Sequence, residues 1–425
     1  MPQNIAIVGL QWGDEGKGKV VDLLALEADV IARCQGGANA GHTVIVGEKK
    51  YILHLIPSGI IHQDKICFIG NGVALDPFGL VEELKVLESE GIGYRGRLFI
   101  SAACNLVLPY HKLLDEIYET RRGESSLGTT LRGIGPAYRD KVARQGIRLA
   151  DIFDDRTLKQ KLAGIKSQRT DLMASLPDDP RCDFDKIKTD LQALCPLLLP
   201  MMVDVSFELD RLQREGKRIL FEGAQGAMLD VDLGTYPYAT SSNTTVGGIF
   251  TGLGVGPRMV DEVVGVVKAY CTRVGAGPFP TELTGETAEL LREKGAEYGA
   301  TTGRPRRTGW LDLVALRHAC RINGVDKIAI TKLDVLDDFE TIKACMAYEI
   351  DGVEVTEFPP LISSFERVRP IYREFPGWRT DTGAVTQFDQ LPEEAQSYVR
   401  FLADQMGAEI KLISTGAARS ETILV

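Results

Sequence analysis

Apolar residues in this chain fall into short β-branched runs separated by stretches of helical spacing. The runs at 5–8, 30–34, 66–69, 98–100, 218–221, 263–270, 328–330 and 410–413 are too short for helices and too apolar for surface loops. Such runs read as strands buried on both faces, and their alternation with helical patterns predicts a parallel sheet covered by helices. Two further runs, 44–46 and 51–54, flank the turn-like Gly47-Glu48-Lys49-Lys50 and predict a hairpin. The expected fold class is therefore α/β, with a large central mixed, mostly parallel β-sheet flanked by helices. Residues 155–217 carry helical periodicity interrupted by Pro177, Pro180 and Pro196, and read as a helical excursion from the sheet. With no repeat and no low-complexity linker, residues 1–425 read as a single large α/β domain with that excursion and long ligand-binding loops.

The first strand leads into Gly9-Leu10-Gln11-Trp12-Gly13-Asp14-Glu15-Gly16-Lys17-Gly18-Lys19, after which helical spacing begins at Val20. Strand, glycine-rich turn and helix start together aim backbone N–H groups and a lysine at phosphate oxygens, which relates the fold to phosphate-loop nucleotide-binding proteins. The usual Ser or Thr after Gly-Lys is replaced by Gly18, and Asp14 sits inside the turn. A carboxylate there can hold a metal ion in place of the hydroxyl, or take a proton from a substrate lying against the transferable phosphate.

Thr331-Lys332-Leu333-Asp334 follows another strand directly. An Asp in a Lys-x-Asp setting can accept hydrogen bonds from N1–H and the 2-amino group of guanine, donors that adenine lacks in that place; a solvated helix-start Asp is the plainer reading of an isolated match. A phosphate loop in the same chain favours the nucleotide. Asn39-Ala40-Gly41-His42-Thr43 places a histidine among small residues that permit close ligand approach. Gly223-Ala224-Gln225-Gly226 puts a glutamine at a strand end, where it can orient a base or phosphate or simply form a tight turn. The stretches 123–138, 222–256 and 299–309 are rich in Gly and Thr and are expected where strands have just ended, with 128–138 irregular in backbone. The last of them contains Arg304, Arg306 and Arg307 beside two hydroxyls, a cationic loop suited to an acidic substrate.

Composition narrows the partners. The 425 residues carry a formal net charge of -10, which argues against a nucleic-acid surface and leaves small anions as ligands. Eight cysteines without Cys-x-x-Cys spacing and only five histidines indicate neither zinc nor a disulfide framework, so the cysteines read as buried thiols. No leader and no apolar run of membrane-spanning length are visible, and a cytoplasmic location is expected.

Taken together, the strings 11–19, Asn39 to Thr43, Gly133-Ile134-Gly135-Pro136-Ala137-Tyr138 with Lys141 and Arg144, Thr301 to Arg307, and Thr331 to Asp334 closely resemble the adenylosuccinate synthetase family, from residue 4 to about 420. The resemblance implies a carbon–nitrogen ligase of AMP synthesis that joins L-aspartate to inosine monophosphate (IMP). It implies GTP as co-substrate, one magnesium ion per subunit, and a homodimer whose sites borrow Arg144 from the partner. By the same resemblance Asp14, His42 and Gln225 are catalytic, and Asp14 with Gly41 binds the metal. GTP is then held by Gly13, Asp14, Glu15, Gly16, Lys17, Gly18, Lys19, Gly41, His42, Thr43 and Arg306. Its base falls to Lys332, Leu333, Asp334, Ser414, Thr415 and Gly416. IMP falls to Asp14, Lys17, Asn39, Ala40, Gly41, His42, Thr130, Arg144, Gln225, Thr240 and Arg304, and aspartate to Ala300, Thr301, Thr302, Gly303, Arg304 and Arg306. Two other classes compete. A GTP-binding regulatory switch needs no second-substrate loop such as 301–307, and an NAD-dependent oxidoreductase needs a Gly-x-Gly-x-x-Gly frame that the first turn lacks.

Overall fold

The computed structural model describes residues 3–46, 49–169, 179–299 and 303–425. Ten strands form the central sheet: β1 (Ile5–Gly9), β2 (Val30–Arg33), β3 (Ile66–Ile69), β4 (Leu98–Ser101), β5 (Met202–Val203), β6 (Ile219–Glu222), β7 (Glu262–Lys268), β8 (Lys327–Thr331), β9 (Glu409–Ser414) and β10 (Thr422–Leu424). Their order is β5-β4-β3-β2-β6-β1-β7-β8-β9-β10. Neighbours from β5 to β9 pair in parallel, and β10 alone runs antiparallel at the edge. The eight apolar runs read as strands all lie in this sheet.

The period-2 geometry of a strand explains why both faces are apolar. On β1, Ala6 and Val8 enter one core with Leu313 and Leu316, while Ile5 and Ile7 enter the other with Val20, Val21 and Leu24. A strand sandwiched in this way has no polar face to lose, which is why its sequence shows no alternation. Because the strands are parallel, the carboxyl ends of β1, β2, β6, β7, β8 and β9 lie along one edge of the sheet, where α/β folds gather ligand-binding loops.

The hairpin forms as His42–Val46 against Lys49–Leu53, with His42 opposite Leu53. Residues 155–217 contain the helices Asp155–Gln168, Phe184–Ala193, Cys195–Leu198 and Val205–Arg214. The chain touches the sheet again within that stretch at β5, a two-residue strand too short to leave a periodic trace. Pro177 lies outside the described residues.

Three readings need correction. Stretches 123–138 and 299–309 follow the helices Pro109–Arg122 and Glu286–Lys294, not strands; only 222–256 follows a strand directly. Residues Ile134–Val142 are α-helical, with Gly133 at φ 75° capping the helix and Pro136 within its first turn, where a missing N–H removes no helical hydrogen bond. Cys182 and Cys195 are partly exposed, while the other six cysteines are buried. A second, smaller sheet built on Thr341–Ile350 and Arg369–Pro376 was not anticipated. Among the described residues no helix is long and apolar enough to cross a membrane.

Candidate active site

The loop after β1 is shaped from inside by Glu15. This residue is fully buried, and its Oε1 accepts from the backbone N–H of Gln11 (3.0 Å) and Gly13 (2.9 Å), while Oε2 pairs with the Lys17 ammonium. A buried charge is stable only when paired and hydrogen-bonded, and here the pairing fixes the loop. The Thr331 hydroxyl donates to the Glu15 carbonyl at 2.6 Å, tying the loop to the end of β8. Gly16, at φ 83°, turns the chain into the helix Lys17–Ala25 and leaves that helix's first amides open to an anion. The hairpin strand His42–Val46 presses on the helix start: a Cβ at Gly18 would lie 2.6 Å from the Thr43 carbonyl oxygen and 3.2 Å from its amide nitrogen. The hydroxyl of an ordinary phosphate loop has no room here.

Asp14 points the other way. At φ 57°, it leaves the loop with its side chain 36% exposed, and its Oδ2 lies 2.8 Å from Nε of Arg306. Arg306 also meets Oε2 of Glu297 at 2.7 Å. A cavity of about 890 Å³ opens in front of these groups. It is lined by Gly13, Asp14, Gly16, Lys17, Gly18, the whole run 39–43, Thr130, Gln225, Thr240, Arg306 and Lys332, so most of the residues expected to hold IMP and the GTP phosphates share one space.

His42 is buried in the wall of that cavity. Its Nδ1 faces Oε1 of Glu222, and its Nε2 has no partner among the described residues. Ser58 completes the anchor, donating its hydroxyl to Glu222 Oε1 and its amide to Oε2, each at 2.8 Å. Burial pushes the His42 imidazole below its ordinary pKa. Burial resists ionisation of Glu222 too, but His42 and Arg33 outweigh it, so the carboxylate stays charged. Gln225, at φ 61°, donates to Asn39 Oδ1 at 3.1 Å and accepts from the Ser242 hydroxyl at 3.2 Å, which fixes its amide at the end of β6.

Of the groups expected to read the base, Lys332 lines the cavity and the others do not. Asp334 is placed by the short helix Leu333–Leu336 that follows β8; its Oδ1 is buried without a partner among the described residues, and burial pushes its carboxyl up to about 6. A buried acceptor lacking a donor is what a guanine edge would satisfy. Lys332 points to the Gly295 carbonyl and to Glu297, and Glu297 also takes Lys268 at 2.7 Å and the Tyr270 hydroxyl. Burial opposes the charge on Glu297, yet Lys268, Lys332 and Arg306 together hold it down to about 2. Ser414 and Thr415 are buried at the end of β9 beside Gly416.

The structure does not bring every expected residue to the cavity. Arg144 and Arg304 are exposed and do not line it, and neither do Glu15, Lys19, Leu333, Asp334 or residues 414–416. Ala300, Thr301 and Thr302 lie outside the described residues, and Gly303 next to them is exposed. Four carboxylates, Glu222, Glu297, Glu119 and Asp115, went unnoticed in the sequence. Glu222 had a faint signal, a charge closing an otherwise apolar strand, whereas Glu297 and Glu119 had none. Glu119 Oε2 accepts from the backbone N–H of Gly128 (2.8 Å) and Thr129 (3.3 Å), and Asp115 Oδ2 from that of Gly133 (2.9 Å), so both hold the Thr130 loop.

A glycine-rich loop with an internal carboxylate, a histidine anchored on Glu222 and a buried Asp after β8 agree with the comparisons with known proteins. The description of the adenylosuccinate synthetases matches residues 6–423. The chain belongs to the adenylosuccinate synthetase family. It is 51% identical to the adenylosuccinate synthetase of Hahella chejuensis over 424 residues, covering 100% of this chain and 98% of that protein. The Proteus mirabilis synthetase is 49% identical over 426 residues, with 100% and 99% covered. A fully ligated adenylosuccinate synthetase from Plasmodium falciparum superposes with a TM-score of 0.94 at 40% identity, covering 100% of both chains. A cyanophage S-2L succinoaminodeoxyadenylate synthetase shares the fold at a TM-score of 0.64 and 20% identity, with 100% of this chain and 96% of that one covered.

Proposed function

We propose that the chain joins L-aspartate to IMP at the expense of GTP, giving adenylosuccinate, GDP and phosphate through a 6-phosphoryl intermediate. The observation that carries this reading is the placement of Asp14: it stands inside a phosphate-binding loop yet faces a cavity that continues to Asn39, Thr130, Gln225 and Thr240. A base in that position reaches a purine and the γ-phosphoryl group together. Asp14 takes the N1 proton of IMP, O6 attacks the γ-phosphorus, and GDP leaves. His42, anchored through Nδ1, presents Nε2 to the phosphoryl oxygens and disperses developing charge. The aspartate amine then displaces phosphate from C6.

Gln225 with Asn39 holds the 6-oxygen region, and Ala40, Gly41, Lys17, Thr130, Thr240 and Arg304 complete the nucleotide site. Gly13 to Gly18, Thr43 and Arg306 serve the GTP phosphates, while Lys332, Leu333, Asp334, Ser414, Thr415 and Gly416 serve guanine. Aspartate is taken by 300–304 with Arg306. Oxygen donors suit magnesium, and Asp14 and Gly41 both border the cavity where triphosphate oxygens would complete its shell. When bound, the ion neutralises charge on the transferring phosphoryl group. The whole of 1–425 acts as one catalytic domain in a cytoplasmic homodimer, with Arg144 serving the partner's site; its exposure away from its own cavity suits that role.

Purified protein with IMP, GTP, aspartate and magnesium should form adenylosuccinate, followed by absorbance, and omission of any one substrate should abolish it. GTP hydrolysis without adenylosuccinate would support the regulatory-switch reading and sink the ligase.

A further inference from the structure

The second lysine of the glycine-rich loop, Lys19, does not line the cavity. Lys19 lies in the first turn of the helix Lys17–Ala25, and its ammonium donates to the Ser414 hydroxyl at 2.7 Å, the Gly416 carbonyl at 2.8 Å and the Glu421 carbonyl at 2.8 Å. Three donors meet three acceptors, all on the loop that follows β9. One turn further along the same helix face, buried Asp22 pairs with Arg419, whose Nη2 lies 2.5 Å from Asp22 Oδ1, and also receives His62 at 3.0 Å. The loop is tightened from within as well. The Ser414 hydroxyl donates to the Gly416 carbonyl at 2.8 Å, the Thr415 amide to the Glu421 carbonyl at 3.0 Å, and the Ala418 amide to the Glu421 carboxylate at 2.6 Å. Asp334 and Glu421 both face Lys19 closely enough to favour its charge, against the burial that lowers its pKa to about 8.

We infer that Lys19 and Asp22 are positioning residues that determine base specificity, clamping loop 414–421 to the helix that carries the phosphate-binding amides. The clamp sets the distance between the loop reading the guanine edge and the helix end holding its phosphates. A nucleotide whose base misfits the loop then cannot regain contact by shifting the loop, because the shift breaks charge-assisted hydrogen bonds to the phosphate-loop helix. This inference rests on the assignment of GTP to the site, and equilibrium binding separates the two because it needs no turnover.

The experiment is calorimetric titration of wild type, Lys19→Met, Asp22→Asn, Arg419→Gln and the double variant Asp22→Asn/Arg419→Gln with GTP and with ATP. Melting curves and steady-state KM values for GTP and IMP accompany it. Losing hydrogen bonds from a charged donor should weaken GTP by roughly 10- to 100-fold in Lys19→Met. ATP should weaken by less than about threefold, so the GTP-over-ATP preference collapses, and the steady-state loss should fall on the GTP KM far more than on the IMP KM. Asp22→Asn and Arg419→Gln should each weaken GTP by about 3- to 10-fold, and the double variant by no more than either alone, since they remove one contact. Equal losses for GTP and ATP in Lys19→Met would make Lys19 a phosphate ligand and overturn the inference. So would unchanged GTP affinity, or full additivity of the Asp22 and Arg419 effects. Should Lys19→Met fail to fold, the partly exposed Arg419→Gln decides alone by the same GTP-to-ATP ratio. Selective GTP loss in a protein that makes no adenylosuccinate would uphold the clamp and sink the ligase.

Discussion

The two halves of the cavity are built differently. On the side proposed for GTP, Glu15, Lys17, Lys268, Lys332 and Lys19 stand at strand ends or on the first helix, Glu297 follows the helix Glu286–Lys294, and each finds hydrogen-bonding partners within the chain. On the side proposed for IMP and aspartate, Thr130 is exposed on a loop held by Glu119 and Asp115, and Arg144, Gly303 and Arg304 are exposed and do not line the cavity. The first half has its shape before any ligand arrives. The second has backbone amides gathered on a carboxylate, an arrangement that an incoming phosphate can take over. In the proposed reaction, rigid recognition of the donor with assembly around the acceptor would restrict phosphoryl transfer to occasions when the acceptor is present, since a formed acceptor side would exclude water.

The largest expected effect breaks the seam between the halves. Asp14→Asn keeps the fold, because Asp14 is half-exposed and shapes nothing, but lowers kcat by about 10²–10⁴-fold or more, as an amide can neither take the N1 proton nor bind magnesium as an anion. Near-normal turnover at saturating substrates would remove Asp14 from the chemistry. Arg144 tests whether the acceptor half is completed by a second subunit. Asp14→Asn and Arg144→Leu homodimers should both be nearly inactive, yet random exchange of equal amounts should recover about a quarter of wild-type activity, because one site of each mixed dimer carries neither change. Mixed dimers demonstrated by cross-linking but without recovery would confine Arg144 to its own subunit.

On the donor side, Asp334→Asn should weaken GTP and favour xanthosine triphosphate, changing their ratio by roughly 10- to 100-fold, since the amide now offers a donor to the 2-oxo group. An unchanged ratio would place the base elsewhere. The pH dependence is smaller and its sign follows from burial. Asp334 has a carboxyl raised to about 6, so ligand-free protein carries it protonated below that pH, while guanine requires the ionised form. Linkage therefore has GTP affinity constant above about pH 7 and falling as pH drops through 6, by about tenfold at pH 5. The same raised pKa means that ionising Asp334 destabilises the ligand-free fold as pH rises from 4 towards 6. Asp334→Asn should flatten the binding profile, and a wild-type profile flat from pH 5 to 8 would contradict the burial argument. Hydrogen exchange gives the least perturbing test of the comparison. Amides of 126–133 should gain protection on adding IMP, while those of Val21 to Ala25, beyond the open first turn of the helix Lys17–Ala25, should be protected already, and equal gains in both would erase the distinction.

Sequence carried the donor half further than the acceptor half for a physical reason. Buried parallel strands need continuous apolar runs, and a phosphate loop needs glycines at fixed offsets, so β1, β8 and their loops were visible in composition alone. The two-residue strand β5 and the second sheet rest on pairing with distant residues, which periodicity does not record. The helix at Ile134–Val142 was hidden behind glycines and Pro136, although a proline in a first turn is compatible with helix. Glu222 and Glu297 were missed because a carboxylate's role lies in its partners, distant His42 for one and, for the other, nearby Arg306 with distant Lys268 and Lys332. Lys19 shows the converse: its sequence setting suggested phosphate, and only the geometry revealed three acceptors on the opposite loop.

The contact at Gly18 has a consequence for how such a site can change over generations. A single codon step from glycine to serine would supply the hydroxyl that ordinary phosphate loops use, but its Cβ would arrive 2.6 Å from the Thr43 carbonyl, on backbone that cannot yield without dislodging His42 next to it. The route back is therefore closed unless the hairpin is first remodelled. A lineage that has placed its carboxylate inside the turn is held there by a neighbour's main chain, and divergence must proceed through the loops that choose the partners of the phosphoryl group.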